Sequence, residues 1–357
     1  MKPLGAAIDR GFRDLLINQA PRHPDERSFE ERLAELDVEI ARLAAPELFA
    51  DPGAFFQTYP IDQVRERPAR SRVRGAARDL SWHSAFSAHF PENQAAFAKL
   101  RRNSWARMRL IQRDPSEPRP TLLLIHGFLG GNPLIEELLF PASALFDAGY
   151  DLAIVTLPGH GARREGGTLS RPSWPARGPS FTIDGYRQAV ADLRAIVDYL
   201  LRLGAPSVGG IGMSLGGYTL SLLATIEERL SFAIPYIPLA SHADYLHENG
   251  LLGPDPERAS ILRERMERLF SAVSPLSRAP LIPKRGRAVI VGEADAITPP
   301  SHGERIARHW GVEPYYFGGA HLLQIGRTEA MLHALHQIST SASGSELRQS
   351  EPPGEPR

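Results

Sequence analysis

Cysteine is absent from this chain. Disulfides, zinc–thiolate sites, iron–sulfur clusters and cysteine nucleophiles are therefore excluded. Long apolar runs are missing too, because no window approaches the roughly 18 to 20 apolar residues that span a membrane. The first residues carry Asp9, Arg10, Arg13 and Asp14 where a signal peptide needs an apolar core. We expect a cytoplasmic protein with no stable membrane insertion.

An excess of charge of one sign is also missing, since 41 Lys and Arg residues balance 41 Asp and Glu residues. A net charge of zero gives no electrostatic reason to expect nucleic-acid binding. The sequence has no P-loop, no Gly-x-Gly-x-x-Gly after its first predicted strand and no His-Glu-x-x-His. The sequence therefore contains no motif for nucleotide, metal or nucleic-acid binding. We expect no cofactor and no metal.

Residues 1–75 predict a helical extension followed by a linker. Within it, residues 28–45 place apolar side chains on one helical face, and Ser28 with Glu31 forms a capping-box pattern. The apolar positions are Phe29, Leu33, Leu36, Ile40 and Leu43. Such a stripe is too apolar to remain in water, so we expect it to cover the core of the protein or a second subunit. Homo-oligomerisation is left open.

From residue 76 to residue 338, predicted strands alternate with predicted helices. This alternation indicates an α/β fold, with a mostly parallel central sheet and helices on both faces. The predicted strands lie at 79–86, 105–112, 151–158, 207–212, 232–237, 288–291 and 313–317, with a further buried strand beginning at Thr121. Residues 241–274 predict a small helical lid insertion. The tail at 339–357 has almost nothing to bury and predicts disorder.

Ser214 lies in the pattern Gly-Met-Ser-Leu-Gly, between a predicted strand and a predicted helix. A turn this sharp needs small residues two positions before and after the serine, which Gly212 and Gly216 supply. A serine hydroxyl becomes a good nucleophile when an imidazole takes its proton and a carboxylate orients that imidazole. Asp295, in GEADAITPP, and His321, in GGAHLL, each follow a later predicted strand.

Other acids and histidines compete for these positions. Asp244 also follows a strand, but it lies at the entrance of the predicted lid, where mobility suits an orienting group poorly. His302 and His309 precede the last predicted strand and so miss the loop after it. We therefore predict that Asp295 is the acid partner of His321.

The order Ser, Asp, His, the His-Gly-Phe after an early strand and the glycine-flanked Ser214 together resemble the α/β-hydrolase superfamily. The similarity is to its serine-nucleophile, esterase-like branch, and most of all to bacterial members whose substrates are unassigned. The resemblance implies that Ser214 is the nucleophile, His321 the general base and then acid, and Asp295 the orienting carboxylate. It also implies an oxyanion hole formed by the backbone N–H groups of Phe128 and Leu215.

The resulting prediction is a hydrolase of carboxylic esters that acts on a small-molecule acyl substrate through an acyl-enzyme. His126, His160 and Arg163 are candidate substrate-binding residues. The alternative role of His126 is to shape the oxyanion loop. The alternative role of the Arg163 region is to form structural ion pairs. A thioesterase, lactonase, peptidase or acyltransferase on the same triad stays open, as does a non-catalytic binding protein of this fold.

Overall fold

The structure, a computed structural model, describes residues 2–18, 28–166, 170–175 and 178–349. Within these residues the chain forms nine strands and thirteen α-helices, labelled β1 to β9 and α1 to α13 in chain order. The strands are Arg65–Pro68, Ala76–His83, Trp105–Gln112, Thr121–Ile125, Asp151–Thr156, Val208–Met213, Leu230–Tyr236, Ile290–Gly292 and Tyr315–Phe317. The helices are Lys2–Asn18, Phe29–Leu43, Glu47–Ala50, Pro52–Phe55, Pro91–Ala98, Pro133–Leu139, Ala142–Asp147, Pro179–Arg202, Leu215–Leu223, His242–Glu248, Pro256–Leu269, Pro300–Trp310 and Arg327–Gln349.

The strands form one mixed sheet in the order β1-β2-β3-β5-β4-β6-β7-β8-β9. Strands β1 to β3 pair antiparallel, and β4 to β9 run parallel to one another. Strands β4, β5 and β6 are buried along their whole length because helices cover both faces of the sheet. The predicted fold class is confirmed. Parallel pairing brings the loops after β4, β6, β8 and β9 to one edge of the sheet, where such folds bind ligands.

The apolar core lies in two layers, one on each side of the sheet. One layer includes the buried side chains of α8 and α9, and the other includes those of α7 and α13. No helix in the part of the chain that the structure describes is long and apolar enough to cross a bilayer.

Strand β1 and the end of helix α13 differ from the sequence prediction. Strand β1 lies in the predicted linker, and all of its residues are exposed, so it has no hydrophobic alternation by which to recognise it. Helix α13 continues to Gln349, although disorder is predicted from residue 339. Its buried first turns nucleate the helix, and continuing a nucleated helix adds one backbone hydrogen bond for each residue fixed. Residues 350–357 of the predicted disordered tail lie outside the described residues.

Helix α2 begins with the predicted capping box, in which Ser28 and Glu31 satisfy each other's backbone N–H groups. The first part of its apolar stripe packs on a cluster that includes side chains of α11, and Asp37 pairs with Arg265 of α11 at 2.8 Å. Ile40 and Leu43 extend into the main core. The chain therefore covers the stripe itself, using the insertion at 241–274 and the core. A lid function for that insertion and domain boundaries at residues 75 and 338 stay predictions.

Leu43→Ala is expected to lower the free energy of unfolding by about 2 to 5 kcal/mol, because Leu43 is fully buried and its truncation leaves a cavity. Val38→Ala on the same helix is the matched control, since Val38 is 68% exposed and its loss should change stability by less than about 0.5 kcal/mol. Urea unfolding of both variants measures the difference. Equal midpoints would mean that α2 adds nothing to the stability of the core.

Candidate active site

Ser214 occupies a strained turn between β6 and α9. Its φ of 56° and ψ of −114° lie in a region that residues other than glycine rarely adopt. The turn is fixed by its backbone, because the Ser214 N–H donates to the Tyr236 carbonyl at 3.0 Å and its carbonyl accepts from the Leu239 N–H at 3.2 Å. Ser214 is 8% exposed. Strain held in place by surrounding hydrogen bonds is typical of functional positions.

The flanking glycines are required by close backbone contacts. A Cβ atom on Gly212 would lie 2.3 Å from the Gly216 carbonyl oxygen, and one on Gly216 would lie 2.0 Å from the Ile125 carbonyl oxygen. No side chain fits at either position. The turn therefore needs both glycines that the sequence places there.

Asp295 and His321 meet in the loops that follow β8 and β9. The His321 Nδ1 atom lies 2.7 Å from Asp295 Oδ2, and both side chains are buried. Asp295 Oδ1 accepts from the N–H groups of Ile297 and Thr298 at 2.9 and 2.8 Å. The Thr298 hydroxyl lies 3.1 Å from both Asp295 Oδ2 and His321 Nδ1. The carboxylate is thus held in one orientation against the imidazole.

Two opposing effects act on the pKa of His321. Burial lowers it, whereas the charge of Asp295, its hydrogen bond to the ring and the charge of Asp9 raise it, and the net pKa lies above the ordinary 6.5. Because the carboxylate accepts at Nδ1, the proton of the neutral ring resides there. Nε2 is left as the proton acceptor of His321.

The competing residues identified in the sequence are engaged elsewhere. Asp244 pairs with Arg263 at 3.0 Å and with Arg305. His302 Nε2 lies 3.1 Å from the Glu248 carboxylate. The acid that the structure places against His321 is Asp295.

The Ser214 turn and the His321 loop are joined through Gln324. The Gln324 side-chain amide lies 3.3 Å from Met213 Sδ and donates to the His321 carbonyl at 2.7 Å. Across the described residues, no hydrogen bond joins the Ser214 hydroxyl to His321. Catalytic hydrogen bonds of this kind are often long until a substrate binds.

The loop after β4 lies against Ser214, since a Cβ atom on Gly127 would come 3.2 Å from Ser214 Cβ. Phe128, the next residue, is half-buried in this loop. Leu215 is the first residue of α9, and the first N–H groups of a helix have no intrahelical partner. Both residues of the predicted oxyanion hole therefore border the Ser214 turn.

His126 shapes this loop. The Leu157 N–H donates to His126 Nε2 at 3.1 Å, so the ring proton resides on Nδ1, which lies 2.8 Å from the Gly127 carbonyl oxygen. Burial lowers the pKa of His126 to about 4, and the ring is neutral. Its contacts match the loop-shaping alternative.

His160 and Arg163 are buried as well. The His160 ring packs edge to face on Phe128 and Trp174. Arg163 pairs with Asp192 at 2.7 Å, and its other nitrogens donate to backbone carbonyls. A substrate-binding role for His126, His160 and Arg163 stays a prediction, and their burial favours the structural alternatives.

Glu136 is a buried carboxyl beside the loop after β4, and the sequence analysis did not identify it. It is fully buried on α6, and its Oε1 accepts from the Gly131 N–H at 2.8 Å. Burial raises the pKa of Glu136 to about 7. Helix α6 has only seven residues, and its apolar side chains Leu134, Ile135 and Leu138 are exposed. The sequence therefore has no apolar stripe that would predict a helix burying Glu136.

We compare the free energy of unfolding of Glu136→Gln with that of the wild type at two pH values. The difference, variant minus wild type, is expected to be about 3 kcal/mol larger at pH 8 than at pH 5. The pKa of Glu136 rises from 4.5 to about 7 on folding, so between these values the folded state keeps a proton that the unfolded state releases. Stability therefore falls as the pH rises through this interval, and glutamine removes the loss while keeping the acceptor for Gly131. Urea unfolding at both pH values tests this. The same stability difference at pH 5 and pH 8 would contradict it.

Known proteins resemble this chain in sequence and in fold. No protein-family model matches it. The Mycobacterium tuberculosis proteins Rv2627c (strain H37Rv) and MT2702 (strain CDC 1551), both uncharacterized, are each 31% identical over 333 residues, or 90% of this chain and 79% of theirs. Acetyl xylan esterase 1 from Thermoanaerobacterium sp. JW/SL YS485 is similar in structure, with a TM-score of 0.54 and 14% identity over 85% of this chain and 93% of its own. An acetyl xylan esterase from Paenibacillus sp. R4 has a TM-score of 0.52 and 14% identity over 88% and 95%. At this identity the two esterases establish a shared fold.

Proposed function

Since this chain has an α/β-hydrolase fold and belongs to one family with the two mycobacterial proteins, we propose that it is a serine hydrolase that cleaves a carboxylic ester. The observation that carries the proposal is the 2.7 Å contact between His321 Nδ1 and Asp295 Oδ2, in the loops next to the strained Ser214 turn. This contact leaves Nε2 of the imidazole to take the proton of a serine hydroxyl.

In the proposed first step, the Ser214 oxygen attacks the ester carbonyl while its proton passes to His321 Nε2. The imidazolium that forms is stabilised by the Asp295 carboxylate at Nδ1. The carbonyl oxygen becomes negatively charged and is stabilised by the N–H groups of Leu215 and Phe128, with the positive end of the α9 dipole behind Leu215.

Collapse of this intermediate breaks the bond to the alcohol. His321 donates its proton to the departing alcohol oxygen, and the acyl group stays on Ser214. Water then attacks the carbonyl carbon of the acyl-enzyme while His321 takes a proton from that water. The carboxylic acid leaves, and the serine hydroxyl is restored by the proton from His321. No cofactor takes part in these steps.

An ester is favoured among acyl substrates because both fold neighbours above are acetyl xylan esterases. A fold alone does not determine a substrate, so a direct test has to decide. Turnover of p-nitrophenyl esters with increasing acyl length, beside a thioester and a lactone of matched acyl group, separates esterase from thioesterase and lactonase activity.

The proposed nucleophile is tested with a fluorophosphonate probe, which reacts with activated serine hydroxyls. We expect mass spectrometry of the labelled protein to find the probe on Ser214. His321→Ala should slow labelling strongly, because the base that activates the hydroxyl is lost. Modification at another serine would assign the nucleophile to that residue, and no labelling of the wild type would favour a non-catalytic binding protein; either result would contradict the proposal.

A further inference from the structure

The N-terminal helix α1 places a fully buried carboxylate on both loops that carry the acid and the histidine. Asp9 Oδ2 accepts hydrogen bonds from the backbone N–H of His321 at 2.7 Å and from that of Ala296 at 3.2 Å. Asp9 Oδ1 accepts from the N–H of Leu322 at 3.0 Å. Hydrogen bonds to an ionised acceptor are stronger than those between neutral groups. One side chain therefore ties the backbone of His321 to the residue that follows Asp295.

These loops need an external tie because the strands before them are short. Strands β8 and β9 have three residues each and lie at the end of the sheet. So few residues give the loops little ladder pairing to hold them. Helix α1 adds further links to the same loop, since Lys2 pairs with Glu293 at 2.7 Å and Arg13 donates to the Ala296 carbonyl at 3.2 Å.

Gly5 lets the helix approach this closely. A Cβ atom at Gly5 would lie 2.7 Å from Ala320 Cβ, directly before His321, and contacts that short do not occur between real side chains. At Gly11 of the same helix, nothing lies within 4 Å of the equivalent position. The helix thus has a glycine where it touches the histidine loop and a second glycine facing open space.

We propose that Asp9 is a positioning residue for the hydrolase reaction, holding the imidazole of His321 and the carboxylate of Asp295 in register through their backbones. This inference rests on the proposed function. It makes α1 a part of the active site, supplied by a segment more than 300 residues before the histidine in the chain.

Asp9 acts on His321 through its charge as well as through its hydrogen bonds. In the described part of the chain, the carboxylates that act on the ring are Asp295, from the loop after β8, and Asp9, from α1. Burial lowers the pKa of His321, and both carboxylates raise it. The arginines of α1 on the C-terminal side of Asp9 are Arg10, which follows it directly, and Arg13, one turn beyond, which is bound to the Ala296 carbonyl and to Asp14.

Asp9→Asn tests the proposal, because asparagine keeps the shape but has one acceptor oxygen. Its NH₂ group must face at least one backbone N–H: that of Leu322 if it takes the Oδ1 position, or those of His321 and Ala296 if it takes the Oδ2 position, so at least one of the three hydrogen bonds is lost. We expect kcat to fall roughly 10- to 100-fold with little change in KM, since a small displacement of a catalytic group costs about that much. The acid limb of the kcat/KM profile should move to lower pH, because loss of the negative charge lowers the pKa of His321.

Asp14→Asn is the matched control, since Asp14 lies on the same helix with its side chain 57% exposed. We expect it to keep the wild-type kcat and the wild-type acid limb. An NMR titration of the His321 ring in histidine-labelled protein measures the same shift without catalysis. If wild-type protein fails to react with the fluorophosphonate, the proposed function fails, while a lower His321 pKa in Asp9→Asn still supports the role of Asp9. Asp9→Asn with wild-type kcat and an unshifted His321 titration would overturn it, even if the melting temperature fell.

A second pair of variants moves the helix without changing its charge. Gly5→Ala should lower kcat because the new methyl group forces α1 away from Ala320, whereas Gly11→Ala should leave kcat unchanged. Alanine favours helix formation over glycine at both positions, so helix propensity cannot explain a loss confined to position 5. Equal activity of the two variants would contradict the need for close docking of α1.

Discussion

Ser214→Ala is expected to reduce ester hydrolysis by roughly 10⁴- to 10⁶-fold, with the fold intact. The substitution removes the one oxygen that forms the acyl-enzyme, and nothing in the proposed mechanism replaces it. The fold should persist because the turn at Ser214 is held by backbone hydrogen bonds to Tyr236 and Leu239, which alanine keeps. Steady-state kinetics on the best ester, with circular dichroism and a melting curve, measure both parts.

The same variant should also lose the fluorophosphonate label, while an unchanged circular-dichroism spectrum and melting curve show that the protein is folded. A Ser214→Ala protein that still turns over ester at a rate comparable to the wild type would assign the activity to another residue. The proposed function would then be wrong, and the strained turn would be structural.

Asp295→Asn is expected to lower turnover by about 10⁴-fold. The N–H groups of Ile297 and Thr298 both donate to Asp295 Oδ1, so the amide oxygen of an asparagine would stay on that side. Its NH₂ group would then face His321 Nδ1, which must become an acceptor. The ring proton moves to Nε2, and the imidazole can no longer take the proton of Ser214.

Asp244→Asn is the matched control for this prediction. Its carboxylate pairs with Arg263 and Arg305, and His321 is bound by a different acid. We expect turnover close to that of the wild type when both variants are assayed under conditions where they are folded. A large loss at position 244 with near-normal turnover at position 295 would reverse the assignment of the acid.

The fold class and the main candidate residues follow from patterns that are local in the chain. A continuous apolar run predicts β4, and the alternation of strands and helices predicts a mostly parallel sheet. The spacing of Gly212, Ser214 and Gly216 predicts the sharp turn, because the need for small residues arises from positions two apart. The order of Ser214, Asp295 and His321 along the chain then places each after a parallel strand, and parallel strands end at one edge.

Thr298 shows how a local motif can hide a second contact. Its place three residues after Asp295 is visible in the sequence, where Asp-x-x-Thr-Pro indicates the approach to a helix. Its hydroxyl also lies 3.1 Å from His321 and donates to the Ile237 carbonyl at 3.0 Å. These two partners come from other loops, so spacing within the motif cannot reveal them.

Only the tertiary structure decided what the N-terminal segment contacts. The stripe on α2 predicted a buried face, because apolar periodicity indicates which side chains avoid water. It did not predict that the stripe would pack against α11 and the core. Asp9 carries no motif signal, since an aspartate followed by an arginine in a predicted helix is typical of a solvated face. Its partner His321 lies 312 residues away. A hydrogen bond between such distant residues depends on how the whole chain closes on itself, and no short stretch of sequence records that.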